Sequence, residues 1–85
     1  MENLHETTEL TESLEALEIV KAVSYEFPGV WHINLKNGKT YYLGDVNGNW
    51  GWDDGHGDLA GDTFKTTASE IANDFCEWAV SVSNA

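Results

Sequence analysis

Three dipeptides, Pro28-Gly29, Asn37-Gly38 and Asn47-Gly48, cut the stretch from Val23 to Asp53 into pieces too short for ordinary helices. Gly and Asn tolerate the positive φ of tight turns, and Pro pre-sets φ for a turn's first corner. The pieces between them, Val23–Phe27, Val30–Leu35, Thr40–Val46 and Trp50–Asp53, are rich in β-branched and aromatic residues. Such residues suit a pleated surface, so the stretch predicts a four-stranded antiparallel meander.

Treating each turn as a two-residue loop pairs Phe27 with Val30, Leu35 with Thr40, and Asp45 with Trp50. Side chains then sort by parity. One face collects Val23, Tyr25, Phe27, Val30, His32, Tyr41, Leu43, Trp50 and Trp52, and is the predicted core side. The other carries Ser24, Glu26, Thr40 and Asp53 together with Trp31, Ile33, Leu35 and Tyr42. That much apolar area on a solvent face predicts a partner or homodimer surface through Trp31, Ile33, Leu35 and Tyr42.

Helical patterns flank the meander. Leu10, Leu14 and Leu17 recur at helical spacing, predicting an amphipathic helix over residues 8–21 with residues 1–7 frayed. At the other end, Thr67 and Glu70 form a capping box opening a helix to Val82. Its apolar stripe, Ile71, Phe75, Trp78 and Val82, is predicted core. The order helix, strands, helix gives an α+β two-layer sandwich, one domain over residues 1–85, with both helices on one sheet face.

Charge is the feature that bears on function. Fifteen acidic residues stand against four lysines and no arginine, for a net charge of −11. Phosphate-rich surfaces, whether nucleic acid or anionic membrane, would repel such a chain. Glu6, Glu9, Glu12, Glu15 and Glu18 recur every third position in the first segment. Like charges three apart on a helix cost ~0.2–0.5 kcal/mol per pair, and no lysine relieves them before Lys21. The later glutamates also sit toward the negative end of the helix dipole. The array is thus held at some cost to folding, which points to a ligand-facing acidic stripe. Lys21, Lys36 and Lys39 lie in the sheet region instead.

A second acidic stretch follows Trp52. Residues 44–65 hold five aspartates and six glycines, and residues 54–66 are predicted to form a long acidic loop of the kind that often carries function. Asp45, Asn47, Asn49 and Asp53 occupy positions 1, 3, 5 and 9 of a calcium-loop template. The wording Gly44-Asp45-Val46-Asn47-Gly48-Asn49 resembles the opening of a dockerin or EF-hand-type loop. It departs from that pattern at Trp50, where a glycine belongs, and at His56, where a bidentate acid belongs. Asp54, His56 and Asp58 alternate without a regular element to space them.

No nucleophile-base-orienter set, phosphate cradle or Cys/His zinc pattern occurs, so neither catalysis nor a cofactor is expected. His32 reads as a hydrogen-bonded histidine and the single Cys76 as a small apolar residue. No apolar run approaches the ~18 residues of a membrane span, and the acidic N-terminus is unlike a signal peptide; a cytoplasmic protein is expected.

These features favour a non-catalytic interaction protein whose carboxylates stand in for phosphates in the basic groove of a nucleic-acid-binding partner. The predicted contact residues are Glu9, Glu12, Glu15, Glu18, Asp53, Asp54 and Asp58, with Trp31, Trp50 and Trp52 as anchors. In size and charge the chain resembles phage-encoded anti-CRISPR and anti-restriction inhibitors, which implies occlusion of DNA or guide-RNA binding in a host cytoplasm. The alternatives are a calcium- or metal-dependent module built on Asp45 to Asp58 and an acidic structural or regulatory subunit.

Overall fold

The turns set the architecture. A computed structural model describes residues 4–27, 29–46, 49–54, 59–64 and 67–83. Its elements are α1 (Leu4–Glu15), β1 (Val20–Glu26), β2 (Val30–Leu35), β3 (Thr40–Val46), β4 (Asn49–Asp53), β5 (Leu59–Thr63) and α2 (Ala68–Ser83). The strands form one antiparallel sheet in the order β1-β2-β3-β4-β5, each joined to its neighbour in sequence. Both helices contribute to one core on a single sheet face, so the chain is an α+β two-layer sandwich, as predicted.

Two turns are longer than predicted, and they reverse one strand. Glu26 pairs with Val30 and Asn34 with Thr40, whereas Asp45 pairs with Trp50 as the two-residue turn requires. The Asn37-Gly38 turn spans three residues: Leu35 N–H donates to Lys39 O at 2.8 Å and Gly38 N–H to Leu35 O at 3.0 Å. Gly38 sits at φ 93°, a left-handed conformation that glycine adopts at little cost. An odd count at each end of β2 flips its side chains relative to β1 and β3.

The core face therefore carries Trp31, Ile33 and Leu35, with at most 4% of each exposed, beside Tyr41, Leu43 and Trp52. Val30 and His32 point away from the helices. This removes the predicted homodimer patch, because Trp31, Ile33 and Leu35 are interior; Tyr42 remains on the outer face, half-buried. There, His32 Nε2 lies 2.8 Å from Glu26 Oε1, and its ring meets Tyr42 edge-on at 4.4 Å.

α1 is displaced from its predicted span. It starts at Leu4, so residues 4–7 are helical, and it stops at Glu15. Ile19 and Val20 are recruited by the sheet: Val20 pairs with Leu35, and Lys36 N–H donates to Ile19 O at 2.9 Å. Pairing with an existing strand outweighs the weak helix preference of two β-branched residues. Phe27, predicted to end the first strand on the core side, lies outside β1 and is 79% exposed.

β5 is a second correction, since residues 59–63 fall inside the predicted loop. Its pairing with β4 shifts by one residue, Trp52 facing Gly61 and Asp53 facing Leu59. Gly61 is required sterically. A Cβ there would clash with Trp52 Nε1, because the indole lies against that strand.

Leu10 and Leu14 of α1 and Ile71, Ala72, Phe75 and Ala79 of α2 close the core over the sheet. Leu14, Ile33, Leu43, Ile71 and Phe75 are essentially fully buried, each contributing roughly 1.5–3 kcal/mol. Tyr41, Trp52, Phe75 and Trp78 form an edge-on and tilted aromatic cluster with centroids 4.8–6.2 Å apart. Val82, predicted in the same stripe as Phe75, is 41% exposed. α1 is tied to β2 by Trp31, whose indole N–H donates to Thr11 Oγ1 at 2.9 Å, while that hydroxyl donates to Thr7 O. The bond gives the inward-turned indole a partner.

Candidate interaction surface

Burying Leu10 and Leu14 leaves the rest of α1 to solvent, and its glutamates follow from that. Glu9, Glu12 and Glu15 are all exposed on a helix with no lysine or arginine. Three-residue spacing makes them drift around the helix, so Glu9 and Glu12 turn toward α2 while Glu15 lies on the far flank. Glu18 is also exposed, but in the turn after the helix.

Glu9, Glu12, Ser13 and Ala16 of α1 face Thr67, Ala68 and Ser69 across an open groove of about 500 Å³. The capping box seen in the sequence forms the far wall. Glu70 N–H donates to Thr67 Oγ1 at 3.3 Å, and that hydroxyl donates to Glu70 Oε1 at 2.9 Å. The N-terminus of α2 thus opens onto the same groove as Glu9 and Glu12.

α2 extends the acidic surface. Glu70 and Glu77 are exposed and Asp74 half-buried on a helix that also lacks lysine and arginine. Sequence reasoning placed none of these three in the interaction set. The signal that could have found them is their spacing at i, i+4 and i+7, out of phase with Ile71 and Phe75. Glu77 bears on its neighbour Cys76: burial first, then this carboxylate, push the thiol pKa up.

Asp53 does not join this surface. Asp53 pairs with Tyr42 and shares its parity, which puts it on the sheet face away from the helices. Asp54 follows at the end of β4, exposed, and its charge, after burial, raises the pKa of Tyr41. Asp58 lies outside the described residues. A flat partner that covers the helices therefore does not also cover Asp53.

Two of the three tryptophan anchors are likewise corrected. Trp31 is 4% and Trp52 3% exposed, so neither reaches a partner; Trp50 is half-buried, its ring 5.6 Å from Trp31. Trp52 Nε1 is buried, with no hydrogen-bond acceptor among the described residues.

The calcium-loop reading meets the same hairpin. Asp45 shares the helix-side parity of Trp50, whereas Asn49 and Asp53 have the opposite parity on β4. These donors diverge from any common centre, and Asn47 lies outside the described residues. Among the described residues, no three His, Cys, Asp or Glu side chains gather to hold a metal ion. Neither is any helix among them long and apolar enough to cross a membrane.

Compared with protein-family models, curated proteins and solved structures, the chain matches none. Its function has to be argued from the surface itself.

Proposed function

We propose that this chain is a small non-catalytic interaction protein that occupies the basic nucleic-acid-binding surface of a partner, as phage-encoded inhibitors of restriction or CRISPR systems do in a host cytoplasm. One observation carries the reading: both helices of one layer expose carboxylates, Glu9, Glu12 and Glu15 on α1 and Glu70 and Glu77 on α2, and neither contains a lysine or arginine to neutralise them. A layer selected for folding alone would intersperse lysines at i+4. The summed field steers a cationic partner and repels nucleic acid. Asp53 is not part of this footprint.

Affinity capture from a lysate, repeated with competing DNA and with rising salt, tests the reading. Nucleic-acid-binding proteins that DNA displaces and that dissociate between 0.1 and ~0.5 M salt are the expected result. Captured partners that do not bind nucleic acid, or capture indifferent to salt, would refute it. Reversal of Glu9, Glu12 and Glu15 to lysine is expected to abolish capture, and reversal of Asp53 to leave it intact.

A further inference from the structure

Two large apolar side chains stand almost wholly in water: Phe27 is 79% exposed and Phe64 76%. The topology brings them to the same end of the sheet. β1 and β5 run in the same direction through an antiparallel five-stranded sheet, and each phenylalanine follows the last residue of its strand. They flank the end where β3 turns into β4, about 19 Å apart at four strand spacings.

Trp50 fills part of the interval. It pairs with Thr63, the residue before Phe64, and its half-buried ring stacks obliquely on Trp31, which meets Tyr25 at 4.7 Å. Phe64 also lies three residues before Thr67, within ~10 Å of the groove between the helices. Glu26 and Asp45 are exposed at this end, whereas Lys21, Lys36 and Lys39 belong to the opposite one.

We propose that this end of the sheet, through Phe27, Trp50 and Phe64, is the aromatic anchor for the same cationic partner, received alongside the α1/α2 groove. The inference rests on the function proposed above and names the surface that charge alone does not supply. The argument for the occupant is charge complementarity. A second copy docked through the same end would bring like charge against Glu26 and Asp45, and its net charge of −11 opposes the approach. An arginine-bearing surface instead gains twice, by stacking guanidinium planes on the rings and by pairing with the flanking carboxylates.

The test uses deca-arginine and deca-lysine as probes of the intact chain, followed by amide and indole chemical shifts in 50 mM salt. Deca-arginine is expected to move the signals of Phe27, Asp45, Trp50 and Phe64 together with those of Glu9 and Glu12. The Phe27→Ala/Phe64→Ala double variant is expected to bind it at least tenfold more weakly while losing much less affinity for deca-lysine. Neither ring belongs to the core, so the variant should unfold at the temperature of the parent, which circular dichroism checks. Shifts confined to the helices, with unchanged affinity in the double variant, would overturn this proposal and leave the proposed function standing. No binding of either peptide would sink both. A dimer in sedimentation equilibrium that the double variant loses would assign the patch to a second copy and overturn it as well.

Discussion

Trp52 and Gly61 show how one residue sets the chemistry of another. The indole lies against β5 with its N–H buried, an arrangement possible only because Gly61 has no side chain. Gly61 is not in a left-handed conformation, so alanine there is penalised by contact, not by backbone strain. Gly61→Ala is expected to destabilise the fold by about 1–3 kcal/mol, read as a lower urea midpoint at constant slope. Trp31 is the contrasting case, inward-facing and satisfied by Thr11. Nothing local marks Trp31 as interior and Phe27 as exposed, since both are large, apolar and next to a turn.

At the scale of elements, α1 is the one whose sequence works against it. Its last residue is Glu15, at the negative end of the dipole and three residues from Glu12, with no basic residue in the final turn. Glu15→Lys is expected to stabilise the protein by about 0.5–1 kcal/mol in 20 mM salt. The gain should shrink toward zero in 0.5 M salt, where the Debye length falls to ~4 Å. Thermal melts of both chains at the two salt concentrations check this. The same substitution is expected to weaken partner capture, separating an acidic side chain retained for binding from one retained for folding. α2 is better matched, with Glu70 in its first turn and a closed capping box.

For the whole molecule, two weak acids, buried Tyr41 and half-buried Cys76, couple stability to alkaline pH. The thiol of Cys76 and the hydroxyl of Tyr41 both have raised pKa values, by burial first and then by Glu77 and Asp54 respectively. Their contribution is complete below the unfolded-state values, about 8.5 for Cys and about 10 for Tyr, and is lost as pH rises through the higher folded-state values. The urea midpoint is therefore expected to begin falling above about pH 8.5, as Cys76 titrates, and to fall further above about pH 10, as Tyr41 does. Cys76→Ala should flatten the earlier part of that decline. Charge acts at this scale too: the acidic helical layer and the lysine-bearing end of the sheet make the molecule polar, so a partner meets it in a preferred orientation.

What the sequence determined by itself is whatever depends on local pattern. Leucines at i and i+4, the Thr67-Glu70 box and β-rich segments between turn dipeptides specify two helices, four of the strands and their order, because periodicity and capping act within a few residues. It also exposed the glutamates at Glu9, Glu12 and Glu15, since burying Leu10 and Leu14 leaves them nowhere else to go. Tertiary structure decided the remainder. The side of the sheet that Trp31, Ile33 and Leu35 occupy hung on one extra residue in each flanking turn, which no composition reveals. Residues 59–63 lack strand propensity, yet they pair because the open edge of β4 offers unpaired backbone groups and Trp52 needs a glycine beside it. The separation of Asp53 from the acidic helices, and the gathering of Phe27, Trp50 and Phe64 at one end, come from strand direction and pleat, which exist only once the sheet has formed.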